Sequence, residues 1–225
     1  MDNIRTNKRI ILTYIAIQLL VIIGFIIYAL LNSNITELEE NIISATAGWV
    51  MGIILVLIFA IRNKNYFVDQ FYDFRDRISE NVGYVILMFF LLFIANIITN
   101  SIMIGLGVND QAGNQASIDT LLESTLYVKW SMVVYAVLLA PFVEEVVFRK
   151  AIMGLVEHKK AYVGVLLSGF FFGLIHVIGD DFIQIINYFI PGCVIALIYL
   201  GAKRNIYVVI FGHMLFNSLI FVGLF

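Results

Sequence analysis

The sequence predicts an all-α fold, a polytopic membrane helix bundle of about seven transmembrane helices, and three observations predict it. The 225-residue chain is 61% hydrophobic and 13% charged, against about 45–50% and ~25% in an average soluble domain. Its mean hydropathy is +0.96. Apolar runs long enough to cross ~30 Å of hydrocarbon recur along the chain, and Lys and Arg fall in alternate connections between them. A net charge of −2 with no basic stripe excludes a nucleic-acid partner. Cys193 is the one cysteine, so there is no intrachain disulfide and no thiolate metal cluster.

In chain order, a short basic start (Arg5, Lys8, Arg9) leads into an apolar run over Ile10–Leu31. That run exceeds the ~7–15 residues of a signal h-region and no small-x-small site comes after it, so a retained first span is expected. An acidic connection, 32–41, leads to the second span over Ile42–Ile61. The most charged connection is next. In it Phe67, Phe71, Phe74 and Ile78 recur at helical spacing, which predicts an amphipathic helix anchored on the membrane surface. The third span is Val82–Leu106, then 107–126 is polar and linker-like, with Thr120-x-x-Glu123 expected to cap the next helix. The fourth helix runs through Trp130 to about Glu157, kinked at Pro141, where a backbone donor is missing. Gly164, Ser168, Gly169 and Gly173 in the fifth span, Ala161–Ile178, permit close backbone approach and predict a central position. The sixth span, Phe182–Leu200, contains Pro191-Gly192, and the seventh runs from Ile206 to about Phe225. The chain reads as one membrane domain, with a three-span part over 1–108 and a four-span core over 120–225.

Apart from Lys129, every Lys and Arg lies at the N-terminus or in the second-to-third, fourth-to-fifth or sixth-to-seventh connection. The positive-inside rule then places the N-terminus in the cytoplasm and the C-terminus outside, in the plasma membrane.

Chemistry concentrates in the fourth span, at Glu144, Glu145 and Arg149. An acidic or basic side chain at mid-membrane is unfavourable by ~2.5–3.5 kcal/mol, so such groups are paired or functional. Glu145 and Arg149 stand at i, i+4 with the acid N-terminal, the favourable order for an intrahelical ion pair. Glu144 points about 100° away around the helix and needs a partner on another helix. A structural salt bridge alone would leave it unexplained. The partners available are His176, four residues after Phe172, and His213, four residues before Asn217. At ~1.5 Å rise per residue, Glu144 lies roughly 21 Å above the cytoplasmic end if its helix continues to about His158. His176 lies about 24 Å above Lys160, and His213 and Asn217 roughly 14 and 20 Å above Arg204. If the fourth helix stopped at Arg149 the depths would not match. A buried site that activates water and stabilises an oxyanion asks for a carboxylate base, an imidazole to share the proton and neutral donors. These residues supply those types.

The three motifs, Glu144-Glu145-x-x-x-Arg149, Phe172-x-x-x-His176 and His213-x-x-x-Asn217, in this order on successive membrane helices, resemble those of the CPBP family. That family comprises CAAX proteases and bacteriocin-processing enzymes, also called Abi, which are intramembrane endopeptidases. The resemblance covers about the last hundred residues. It implies Glu144 as general base, His176 as a helper in activating water, and His213 with Asn217 as oxyanion stabilisers. Glu145 and Arg149 occupy the remaining motif positions. No cofactor is then required, although Glu144, His176 and His213 would also make a zinc triad.

The expected function is an intramembrane endopeptidase acting on a peptide or membrane protein, with the lipid bilayer as its other partner. Two other classes are open: a non-enzymatic bacteriocin-immunity or sensor protein of the same fold, and an ion-coupled transporter. A transporter would draw polar groups from both halves, whereas here they cluster in the last four spans. No His-Glu-x-x-His, Gly-x-Ser-x-Gly or Gly-x-Gly-Asp occurs, which disfavours zincin, serine and aspartyl chemistry. Asp180 and Asp181 read as a solvated turn.

Overall fold

The computed structural model describes residues 4–32, 34–108, 112–178 and 181–219, except for the side chain of Asn114. Among them there are helices and turns and no strands. The elements are α1 (Ile4–Leu31), α2 (Glu37–Arg62), α3 (Lys64–Asp76), α4 (Ile78–Gly105) and α5 (Gly113–Glu123), then a composite helix α6 (Leu126–Leu155). They continue with α7 (Ala161–His176), α8 (Ile186–Gly201), preceded by a 3₁₀ turn at Phe182–Ile185, and α9 (Ile206–Asn217). Asp180 and the tail 220–225 lie outside the described residues.

Each of the seven apolar segments forms a helix, and together they make the polytopic bundle. Five segments are long and apolar enough to cross a membrane: α1, α2, α4, α6 and α8 with its 3₁₀ turn. The other two, α7 with 16 residues and α9 with 12 described, are shorter. The outer helices turn apolar side chains such as Leu19, Ile22, Ile94 and Ile97 outward, as a lipid-facing surface requires. In α1 only 11% of the most apolar stretch is buried, against 61% in α6, which identifies α6 as the enclosed helix.

That differs from the expected central fifth helix. The small residues of α7 do make a close contact: a Cβ on Gly173 would come within 2.9 Å of Ile185, and one on Gly192 within 3.1 Å of the Gly169 Cα. But Tyr162, Leu166 and Phe170 of the same helix face outward. One tight face does not make a helix central.

Local signals explain most boundaries. Thr36 and Glu39 form a reciprocal capping box on α2: the Glu39 N–H donates to Thr36 Oγ1 (3.3 Å) and the Thr36 N–H to Glu39 Oε2 (2.9 Å). The capping box expected at Thr120–Glu123 does not form. Thr120 donates instead to the Ala116 carbonyl inside α5, a helix occupying most of the presumed linker. The start of α6 is capped by Thr125, which accepts from the Val128 N–H (3.5 Å).

The amphipathic helix α3 forms, and part of its apolar face docks on protein. Phe67 stacks on Phe142 (5.3 Å between centroids) and Phe74 meets Phe211 edge-on (5.4 Å). Phe67 and Phe74 are buried against α6 and α9, whereas Phe71 and Ile78 of the same stripe stay exposed, so the stripe is divided between docking on protein and an outward-facing edge. Asn205 fastens the contact. It donates to the Gln70 carbonyl (3.0 Å) and Asp73 Oδ2 (2.7 Å), and its own Oδ1 accepts from the Tyr207 N–H as the cap of α9 (3.0 Å). Hydrogen bonding from Arg77 holds the Asp73 carboxyl below its ordinary range despite partial burial. The chain enters α9 through Lys203 and Arg204, both left-handed at φ 54° and 63°.

Candidate active site in the enclosed helix

The site is built on an irregularity of α6. Two π segments, Tyr135–Leu139 and Val146–Ile152, flank an α-helical turn at Ala140–Glu145. Each π segment advances the hydrogen-bond register by one residue and so rotates the next turn of the chain about the helix axis. Ala140 N–H bonds to the Tyr135 carbonyl in the i+5 pattern. The next such pair would be Pro141 with Ala136. Proline has no N–H to give, and the Ala136 carbonyl accepts instead from Asn217 Nδ2 (2.8 Å). The expected disturbance at Pro141 thus takes the form of a widened turn whose freed carbonyl is met by α9.

Glu145 and Arg149 form the expected ion pair, Oε2 to Nε at 3.1 Å, with both side chains fully buried. This contact has the length of a hydrogen bond but not its direction, since neither atom finds a hydrogen-bond partner. Arg149 is held further by Nη2 donating to the Gly192 carbonyl of α8 (3.1 Å) and by the Phe172 ring 4.8 Å from its guanidinium. The other Glu145 oxygen, Oε1, lies 2.8 Å from His213 Nδ1.

Glu144 finds its partners on two other helices. Its Oε1 is 4.0 Å from His176 Nε2 and its Oε2 is 3.9 Å from His213 Nε2. The three side chains are mostly buried, at 14%, 15% and 8% exposure for Glu144, His176 and His213, which leaves a narrow opening. The depth match holds because α6 continues past Arg149 to Leu155.

Hydrogen bonding sets the imidazole tautomers. His176 Nδ1 lies 2.7 Å from the Phe172 carbonyl, which can only accept, so Nδ1 carries hydrogen and a neutral ring presents the Nε2 lone pair towards Glu144. His176 is fixed between Phe172 and Tyr188, the latter stacked at 4.6 Å and 16°. His213 Nδ1 donates in the same way to the Glu145 carboxylate.

Each imidazole Nε2 stands about 4 Å from a Glu144 oxygen, a separation that a water at ~2.8 Å from both members of the pair can bridge. The donors are also of the type zinc accepts. Ligands ~2.0–2.1 Å from a tetrahedral ion stand about 3.3–3.4 Å apart, so each imidazole would have to draw roughly half an ångström closer to Glu144. As they stand, no group of three His, Cys, Asp or Glu among the described residues is placed to hold a metal ion.

Six of the seven residues singled out in the sequence are linked by contacts here, namely Glu144, Glu145, Arg149, Phe172, His176 and His213, while Asn217, one turn beyond His213, bonds to the Ala136 carbonyl of α6. Four contributions were missed: the Glu145–His213 bond, the Tyr188 stack, the Gly192 carbonyl and the Ala136 carbonyl. Only the last had a signal, the position of Pro141, and counting back four residues as in an α-helix would have chosen Val137.

Comparison with known proteins agrees with the motifs. Residues 126–219 match the family model described as "Type II CAAX prenyl endopeptidase Rce1-like", a stretch that contains every one of those seven residues. The chain is 25% identical over 225 aligned residues, 95% of its own length and 86% of the relative's, to "Putative membrane peptidase YdiL" of Bacillus subtilis (strain 168). No solved structure matches it. The resemblance to the CAAX proteases is borne out, and both matches support a multi-pass membrane protease.

Proposed function

We propose that this chain, whose residues 126–219 match the model of the Rce1-like CAAX endopeptidases, hydrolyses peptide bonds within the membrane boundary by a Glu144-activated water. The observation that carries this reading is the convergence of both Glu144 oxygens on two imidazole Nε2 atoms at 3.9–4.0 Å, in a nearly sealed space. Water held there gives one proton to Glu144 while His176 Nε2 accepts a hydrogen bond from the other, and its oxygen attacks the substrate carbonyl carbon. The resulting oxyanion takes hydrogen bonds from His213, when its Nε2 is also protonated, and from the second amide hydrogen of Asn217. Glu145 supports the charged His213 ring from Nδ1, as a buried carboxylate does in a catalytic triad. Glu144 then passes its proton to the leaving amine as the C–N bond breaks, and the products are a carboxylic acid and a new N-terminus.

The mechanism as written needs no cofactor. The substrate class that fits is a membrane-associated peptide or membrane protein, and the Lys and Arg pattern supports a plasma-membrane orientation with the N-terminus in the cytoplasm.

The test is hydrolysis of a library of membrane-tethered peptides by purified protein in nanodiscs, with new N-termini read by mass spectrometry. Wild-type protein is expected to generate them. Glu144→Gln, which keeps size and removes basicity, should lower turnover by at least ~10²-fold while accumulating normally. Turnover by the Gln variant at the wild-type rate would sink the assignment of Glu144. No products from either protein would favour the immunity or sensor function.

A further inference from the structure

Away from this site, two adjoining clefts open at the end of the bundle where α1 begins and α2 ends. The larger, about 520 Å³, has apolar walls from Ile10, Leu12, Ile58 and Phe59, with Arg9 and Arg62 among its polar lining. The second, about 360 Å³, shares Thr6, Arg62 and Asn63 with the first and adds Lys64 and Lys150. Four cations therefore line one continuous recess. Among the described residues no Asp or Glu lines either part.

The recess is held in shape by its own side chains. Arg62 Nη1 reaches Thr13 Oγ1 of α1 at 3.4 Å, which carries the guanidinium across the gap between α1 and α2. Lys150 is 3% exposed, with its ammonium 4.4 Å from the Tyr66 ring centroid and 3.4 Å from Asn7 Oδ1. That one side chain ties α1 and α3 to α6 and fixes a cation at the wall of the second cleft.

By the Lys and Arg pattern this end lies at the cytoplasmic interface. A cationic recess continuous with an apolar slot between two lipid-facing helices matches an amphiphile with a phosphate head and an acyl tail. The size of each cleft falls within the ~300–1,000 Å³ of small-molecule sites. We propose that it binds the phosphate of an anionic phospholipid between Arg9, Arg62, Lys64 and Lys150, with an acyl chain along Ile10, Leu12 and Ile58. Such a lipid bridges α1, α2 and the foot of α6. The inference is independent of the peptidase reading.

The test measures thermal stabilisation of the detergent-purified full chain as phosphatidylglycerol is titrated into the micelles. Phosphatidylcholine and inorganic phosphate are parallel arms, and native mass spectrometry identifies the lipid retained on the wild-type protein. Stabilisation by phosphatidylglycerol alone is expected. Each interfacial Lys or Arg contributes a factor of about five, so Arg9→Gln with Arg62→Gln should require roughly 30-fold more lipid. Both arginines are exposed, and the fold should tolerate the change. Lys159→Gln with Lys160→Gln removes the same charge from the same side and should alter nothing. Equal weakening by that control would show general surface attraction and overturn the site, as would equal stabilisation by phosphatidylcholine. The same shift with inorganic phosphate would assign a free anion and overturn the lipid.

Discussion

Glu145 serves two cations or potential cations at once, Arg149 through Oε2 and His213 through Oε1, so removing the arginine has consequences beyond a lost contact. Arg149→Ala is expected to reduce thermal stability by on the order of 3–5 kcal/mol, because it leaves a fully buried carboxylate short of its counter-charge. It should also lower activity by loosening His213; thermal unfolding in detergent alongside turnover checks both, and normal stability with a purely kinetic defect would move Arg149 into contact with substrate. Asn217 is similarly divided, since one amide hydrogen is committed to the Ala136 carbonyl and only the other is available to an oxyanion. With Glu144 kept as base, protein stripped by a strong chelator should retain peptidase activity, and added zinc should inhibit by drawing the two histidines together. Loss on chelation with recovery on stoichiometric zinc would instead make Glu144, His176 and His213 ligands. Glu144, Glu145, Arg149, His176 and His213 stood out in the sequence because charge and imidazole are rare in apolar spans, whereas Phe172 and Asn217 stood out only by their spacing from the histidines. Their partners were not, because Tyr188, Gly192 and Ala136 contribute a ring and two carbonyls that any residue pattern contains.

At the scale of the element, periodicity located the helices and missed how α6 is wound. Pro141 and the acidic pair announce a disturbance, but the choice between a kink and two π segments depends on neighbours that supply replacement hydrogen bonds. Asn217 meets Ala136, and Ser168 donates to the Phe148 carbonyl (3.1 Å). The α3 helix shows the same limit, because its aromatic stripe fits a lipid interface and a protein groove equally well, and only the positions of α6 and α9 decide that Phe67 and Phe74 are covered while Phe71 is not. Small residues were more informative about contact than about centrality. A Cβ at Gly169 would overlap Cys193 Sγ and come within 3.1 Å of the Cys193 nitrogen and the Phe189 carbonyl oxygen. Gly169→Ala is therefore expected to destabilise by about 1–3 kcal/mol through separation of α7 and α8. Adding Cys193→Ala removes the side-chain overlap but not the two backbone contacts, so a double-mutant cycle in thermal unfolding should show partial recovery. Full additivity of the two substitutions would mean that the helices do not approach as closely as this.

For the whole molecule, the sequence divides into a three-span and a four-span part, yet the two are packed together. Lys150 of α6 reaches Asn7 of α1, and a Cβ on Gly212 of α9 would press within 2.7 Å of Met88 of α4. Such contacts carry no signal in either segment alone, because an apolar face that meets another helix reads like one that meets lipid. The expected orientation, by contrast, rests on the connections. The eleven Lys and Arg residues outside α6 all fall at one predicted side. Single cysteines introduced into a Cys193→Ser background test that arrangement with a membrane-impermeant thiol reagent. Ser117, Asn65 and Lys159 are all exposed, so labelling reports the side and not burial. Ser117→Cys in α5 should react in intact cells, while Asn65→Cys and Lys159→Cys should react only after permeabilisation. Reaction of Lys159→Cys in intact cells would turn the molecule over. The basic recess between α1 and α2 would then face outward, away from the anionic cytoplasmic leaflet, whereas the geometry linking Glu144 to His176 and His213 would be unaffected.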